Sequence, residues 1–226
     1  MPPEVVVSDV TVRVDGRTVL SEVSLRLGAR RTAIVGANGS GKSTFVRLLN
    51  GLSEPSSGEV RVLGHDVRRE RMTVRRLVGF VFANPEAQIL MPTPAEDVAL
   101  SVRDLPAAEA KERVAAVLDR YGLADSADVP VAELSGGQRQ LLAIAAVLAT
   151  DPGLVVADEP TTMLDLRNAR MIGDLLIERI GVPLIIVTHD LELAARCDEA
   201  VLFDGGRVRA VGAPDDVILA YRRSCG

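Results

Sequence analysis

Apolar and polar residues alternate from Val5 to Val14, through Val5, Val7, Val10, Val12 and Val14. A two-residue period places one face on a core, and Asp15-Gly16 is a hairpin signal before Val19 to Leu27. A small antiparallel sheet is therefore expected first. The short apolar run Thr32 to Val35 reads as a further strand, followed by the loop Gly36-Ala37-Asn38-Gly39-Ser40-Gly41-Lys42-Ser43 and a helix whose apolar stripe is Phe45 to Leu49. That helix should end near Asn50-Gly51, with Gly51 suited to the left-handed position past a helix end. Glu54 to Gly58 is a loop, and Glu59 to Leu63 and Leu77 to Ala83 are strands.

From Asn84 the pattern changes. Asn84-Pro85 and Met91-Pro92-Thr93-Pro94 punctuate the chain, and Thr93-Pro94-Ala95-Glu96 has capping-box spacing with proline at the first helical position. Helix is expected to about Val102. A second helix, Ala107 to Tyr121, should follow Asp104-Leu105-Pro106 and stop at Gly122. No convincing strand falls between Asn84 and Val131, so this stretch reads as a helical lobe inserted into an α/β body. Ser135 and Gln138 again have capping-box spacing, ahead of the apolar helix Leu141 to Ala149. Strands and helices then alternate. Strand Leu154 to Ala157 ends in Asp158-Glu159-Pro160, helix Asp165 to Ile180 stops at Gly181, and strand Leu184 to Thr188 ends in His189. A hairpin, Ala200 to Asp204 with Arg207 to Val211, turns at Gly205-Gly206 before a last helix from Pro214. Such alternation predicts a mostly parallel sheet.

The bulk numbers narrow the function. At 226 residues the chain suits one cooperative body with a subdomain. Hydrophobic content of 47% is ordinary, while 3% aromatic and no Trp leave the core to aliphatic packing. Net charge is -5, which argues against a nucleic-acid footprint, so Arg68-Arg69 and Arg75-Arg76 read as solvated faces. Cys197 and Cys225 form no metal-ligand spacing and suggest a reducing compartment. Met1-Pro2-Pro3-Glu4 shows no signal-peptide pattern, and the best apolar run, Leu141 to Ala149, is about half a membrane span. A membrane role is therefore expected to run through a partner.

The glycine loop carries the chemistry. A polyphosphate needs a donor for each oxygen, and bulky side chains would hold the backbone too far away, whereas glycines let the amides turn inward. Amides of Gly39, Gly41 and Lys42 can converge on a β-phosphate that faces the positive end of the helix dipole. Lys42 supplies charge to the β and γ oxygens, and Ser43 places a hydroxyl where a bridging magnesium would sit. At the carboxyl ends of neighbouring strands, where open sheets bind ligands, stand Asp158, Glu159 and His189. Asp158 suits a carboxylate lying behind the direct ligands of magnesium, Glu159 would hold or deprotonate an attacking water, and His189 would sense the γ-phosphate. Around Ser135, the glycines leave amides uncovered at a capped helix start, an arrangement fit for a second anion.

Together the phosphate loop, Leu134-Ser135-Gly136-Gly137-Gln138, Asp158-Glu159-Pro160, Leu164-Asp165 and His189 resemble an ABC-type ATPase subunit along essentially the whole chain. The resemblance implies a P-loop α/β fold in a single ABC ATPase domain, with a catalytic lobe (1–83 and 151–226) and a helical lobe (84–150). It implies ATP and magnesium as cofactors. Gly36, Asn38, Gly39, Ser40, Gly41, Lys42, Ser43 and Thr44 would hold the phosphates, Ser43 and Asp158 the metal, and Val14 would face adenine. It further implies head-to-tail dimers, homo- or heteromeric, in which Ser135, Gly136, Gly137 and Gln138 complete the other chain's ATP site and Asp165 lies in the seam. Phe82 to Gln88, Met91 to Val98 and Thr161 to Asp165 are similar to the energy-coupling-factor importers of vitamins and metal ions. The early stop after the hairpin leans toward the biotin-importer type. Integral membrane subunits would dock against Ala83 to Glu96 and hold the chain at the cytoplasmic face.

Two positions depart from that pattern. Ala83 stands where the family has a glutamine, so either Gln88 or a water substitutes, or hydrolysis is slow. Val14 replaces an aromatic that stacks on adenine, which implies weak discrimination between ATP and GTP. Two rival readings remain at this stage: an ABC-type ATPase acting on ribosomes or DNA without a membrane partner, and a nucleotide switch that does not hydrolyse.

Overall fold

A computed structural model describes residues 4–224. Cys225 and the N-terminal stretch considered for a leader, apart from Glu4, lie outside them. β1 (Val5–Val14) and β2 (Arg17–Leu27) pair antiparallel as the alternation predicts, and β4 (Ser57–Val62) joins the other side of β1. With β5 (His65–Asp66) they form a four-stranded sheet in the order β2-β1-β4-β5. The register slips between Val7 and Val10, where Asp9 takes a φ of 52°, so the regular alternation is interrupted by a bulge.

The second sheet has six strands in the order β10-β9-β3-β8-β7-β6. These are β3 (Arg31–Val35), β6 (Val78–Val81), β7 (Leu154–Asp158), β8 (Leu184–Val187), β9 (Glu199–Asp204) and β10 (Arg207–Gly212). All pairings are parallel except the β9–β10 hairpin. Strands β3, β7 and β8 are apolar on both faces because each face covers a core. Ala33, Val35, Ala157 and Ile186 point into a cluster shared with the helical segment, while Ile34, Val156 and Val187 point into one beneath the antiparallel sheet and α1 (Lys42–Leu49).

Between residues 82 and 153 the described chain has no strand. It holds α3 (Pro94–Ser101), α4 (Ala107–Arg120) and α5 (Gly136–Leu148). This segment has no separate core. Leu118, Leu123 and Leu142 belong to the same cluster as Ala33 and Ile186. Contact is close where α5 crosses β6: a Cβ on Gly79 would lie 2.4 Å from Val147 Cγ1.

Several elements escape the sequence pattern, the two-residue β5 among them. Helix α2 (Arg71–Leu77) buries only Val74, too little to create a period. Helix α7 (Leu191–Ala195) is five residues long, held by Asp190, whose Oδ1 accepts from the amides of Glu192 and Leu193. The expected helix Asp165 to Ile180 is α6 (Leu166–Asp174) followed by a π turn over Leu175–Arg179. Leu175, Leu176 and Ile177 are buried in succession, more than one stripe of a regular α-helix can turn inward. The fold ends in α8 (Pro214–Ser224).

Candidate phosphate and metal site

The phosphate loop leaves the end of β3 and winds into α1 through Gly36, Gly39 and Gly41, at φ 142°, 77° and 101°. Space as well as conformation demands glycine at two of them. A Cβ on Gly36 would sit 2.1 Å from the Phe203 carbonyl oxygen, and one on Gly41 2.6 Å from Leu20 Cδ2. From below, the β9–β10 turn props the loop: the Gly206 amide donates to the Ser40 carbonyl (3.1 Å) and the Ser21 amide to the Gly206 carbonyl (2.9 Å).

Lys42 is 5% exposed, and its Nζ donates to the carbonyls of Gly36 (2.7 Å) and Ala37 (2.9 Å). Burial lowers its pKa, opposed by the charges of Glu159 and Asp158. Ser43 Oγ donates to Asp158 Oδ1 at 2.9 Å, so α1 and β7 bring together residues 115 apart in sequence. Burial holds the Asp158 carboxyl above its usual range, against the Ser43 hydrogen bond and the Arg47 charge that favour ionisation. Arg47, one helical turn beyond Ser43, reaches Asp158 Oδ2 at 3.8 Å. The sequence reading missed it, although the i, i+4 spacing from Ser43 was a signal.

Glu159 follows on β7 with φ 53°, its amide donating to the Val187 carbonyl (3.0 Å). Its Oε2 accepts from His189 Nδ1 (2.7 Å) and Thr162 Oγ1 (2.9 Å). The fold thus joins the strand-end carboxylate and histidine; Thr162 was not foreseen. Ser40 Oγ is buried with no partner, and a hydroxyl in a glycine cradle beside a buried ammonium suits an anion. Ser43 could offer magnesium a hydroxyl oxygen with Asp158 behind it, accepting the hydroxyl proton, and that ion ordinarily keeps waters and phosphate oxygens for the rest. Asn38 and Gly39 lie exposed at the loop tip, Thr44 is half-buried, and Val14 is 50% exposed at the end of β1.

The second anion site is more closed than the sequence implies. Ser135 and Gln138 form the full capping box: the Ser135 amide donates to Gln138 Oε1 (2.9 Å) and the Gln138 amide to Ser135 Oγ (3.2 Å). Gly136 is open, but a Cβ on Gly137 would meet Asn168 Oδ1 at 2.4 Å. Gly137 is therefore small for packing, and only the Ser135-Gly136 side of the tip is bare. Asn168 is tied in turn to Asp165, the cap of α6, whose two oxygens accept from the Asn168 amide (2.9 Å) and Nδ2 (2.7 Å).

Gln88, the candidate stand-in for a glutamine at position 83, is held by backbone groups. Its Oε1 accepts from the Phe82 amide (3.1 Å) and its Nε2 donates to the Ala143 carbonyl (3.1 Å). Gln140 Nε2 bonds the Phe82 carbonyl (3.4 Å) from the same helix face, and the pair fastens the end of β6 to α5. The expected box at Thr93 is altered too: Thr93 Oγ1 accepts from the Glu96 amide (3.4 Å) but donates to Glu96 Oε2 (2.9 Å), in place of the backbone contact.

Residues 20–162 match the family described as ABC transporter. The chain is 42% identical to the biotin transport ATP-binding protein BioM of Rhizobium etli, over 91% of this chain and 92% of that protein. It is 39% identical to the energy-coupling factor transporter ATP-binding protein EcfA1 of Lacticaseibacillus paracasei, over 82% of this chain and 69% of that one. Among solved structures, cbiO1 from Clostridium perfringens, part of the ABC transporter complex cbiONQ, superimposes with a TM-score of 0.87 at 31% identity, covering 99% of this chain and 93% of that chain.

Proposed function

Since the chain belongs to the ABC transporter family and is one of its ATPases, we propose that it powers a membrane importer of the energy-coupling-factor type, with biotin the favoured solute, by closing as a dimer around ATP and magnesium. The observation that carries this is the convergence, at the carboxyl ends of β3, β7 and β8, of the Lys42 cradle, the Ser43–Asp158 pair and the Glu159–His189 pair. Lys42 and the loop amides bind the β and γ phosphates, whose negative charge replaces the carbonyls that Lys42 now contacts. Ser43 and Asp158 hold magnesium, which supplies charge neutralisation on the phosphate oxygens. Glu159 accepts a proton from the attacking water, and His189 orients the glutamate and reads the γ-phosphate.

One chain holds the Lys42 cradle, and the bare Ser135-Gly136 tip lies on the helical segment; a second chain supplies the phosphate that this tip lacks. Asp165, exposed at the start of α6, then lies in the seam. Among the described residues no helix is long and apolar enough to cross a membrane. Membrane attachment at the cytoplasmic face therefore falls to integral subunits, which dock against the segment 83–96, where Leu90 is 73% exposed. The similarity to BioM and EcfA1 supports the importer reading.

The test is Glu159→Gln with saturating ATP and magnesium. Light scattering should show a dimer that persists while phosphate release stops; monomer alone would refute the closure. Recovery of the chain from solubilised membranes together with an integral subunit tests the transport role, and recovery with ribosomes or DNA would contradict it.

A further inference from the structure

Glu159 occupies a costly backbone position. Its φ of 53° is left-handed, which L side chains avoid, and it precedes Pro160, whose ring further restricts the preceding residue. Such a conformation persists only where surrounding contacts over-determine it. Here they do. The Glu159 amide is fixed by the Val187 carbonyl, and the Thr162 amide donates back to the Glu159 carbonyl (3.3 Å), closing a turn over Pro160 and Thr161. From the same residue, Thr162 Oγ1 donates to Glu159 Oε2 at 2.9 Å. Thr162 therefore grips both the main chain and the side chain of the glutamate.

Both side-chain donors fall on one oxygen. His189 Nδ1 and Thr162 Oγ1 converge on Oε2, and a carboxylate oxygen with two charge-assisted bonds has its rotation fixed. Oε1 takes neither of these bonds. Of the two donors, His189 is 60% exposed on a separate strand end, whereas Thr162 belongs to the same turn as Glu159 and has a stiff β-branched side chain.

We infer that Thr162 is a positioning residue for hydrolysis: it holds Oε2 of Glu159 so that Oε1 alone faces the attacking water. This rests on the proposed role of Glu159.

The test compares Thr162→Val, Thr162→Ser and Glu159→Gln in purified protein, measuring phosphate release and, separately, ATP binding. Loss of one hydrogen bond to a charged group predicts that Thr162→Val lowers kcat about 10-fold or more. KM and nucleotide affinity should stay at wild-type values, and Thr162→Ser, which keeps the hydroxyl, should restore kcat. In a Glu159→Gln background, adding Thr162→Val should change nothing further. If Glu159→Gln abolishes release but Thr162→Val matches wild type, or if Ser fails to rescue, the role of Thr162 is overturned while that of Glu159 stands. If Glu159→Gln keeps wild-type release, the base assignment falls, and the inference with it. Should Thr162→Val not fold, the serine variant decides: wild-type kcat and KM support the hydroxyl, and a lowered kcat refutes it.

Discussion

Substituting alanine at Gly36 and at Gly39 separates two reasons for glycine within one phosphate loop. At Gly39, φ is 77° and an added Cβ would meet nothing within 4 Å, so only the left-handed backbone resists. That resistance is about 1 kcal/mol. At Gly36 the Cβ would stand 2.1 Å from the Phe203 carbonyl oxygen, where ordinary contact begins at about 3.4 Å; the end of β9 must retreat by about 1.3 Å. Forced displacement in packed surroundings costs about 1–3 kcal/mol, added to the backbone term. With about 2–4 °C of melting temperature per kcal/mol in a chain of this size, Gly39→Ala should lower Tm by about 3 °C and Gly36→Ala by about 10 °C. The displaced Phe203 precedes the Gly205-Gly206 turn that supports Ser40, so Gly36→Ala should also weaken ATP binding more than Gly39→Ala does. Thermal unfolding by circular dichroism and titration with a fluorescent ATP analogue read the two effects. Equal shifts for the two variants, or the larger one at Gly39, would refute the claim that β9 limits the loop.

Three further outcomes are expected. Ala83→Gln restores a side-chain amide able to orient water and should raise the rate of phosphate release several-fold; an unchanged or lower rate counts against the role of that position. Val14 offers contact without ring stacking, so competition binding should show ATP and GTP within about 10-fold of each other, and Val14→Tyr should widen the gap. Burial raises the Asp158 pKa above 3.8, so the folded protein holds that proton more tightly than the unfolded chain, and stability declines as pH rises through the interval between the two values. Above it the ionised carboxylate opposes folding of the nucleotide-free protein. Asp158→Asn, which can still accept from Ser43, should therefore raise Tm at neutral pH without nucleotide, with the gain disappearing as pH falls toward 3.8, while magnesium-dependent hydrolysis is lost.

Wherever a signal is local, the chain alone determined the outcome. The glycine spacing from Gly36 to Gly41 and the Ser135–Gln138 capping box depend on neighbours within a few residues, and each took its expected form, while the period of Val5 to Val14 gave the strand but not its bulge. Alternation of strands and helices placed Asp158, Glu159 and His189 at strand ends, because parallel crossovers bring successive carboxyl ends to one edge. Helix α2 was illegible because one buried residue makes no pattern, and the π turn because its three successive apolar residues read as ordinary helix. Tertiary structure decided the rest. Phe203 and Gly206 reach the phosphate loop only because β9 lies beside β3, and Asn168 covers Gly137 only because α6 packs on the tip of α5. Gln88 meets the Phe82 amide and the Ala143 carbonyl only because α5 crosses close over β6. A sequence specifies which groups can donate and accept; which partner each one meets is set by how the packed layers bring distant segments together.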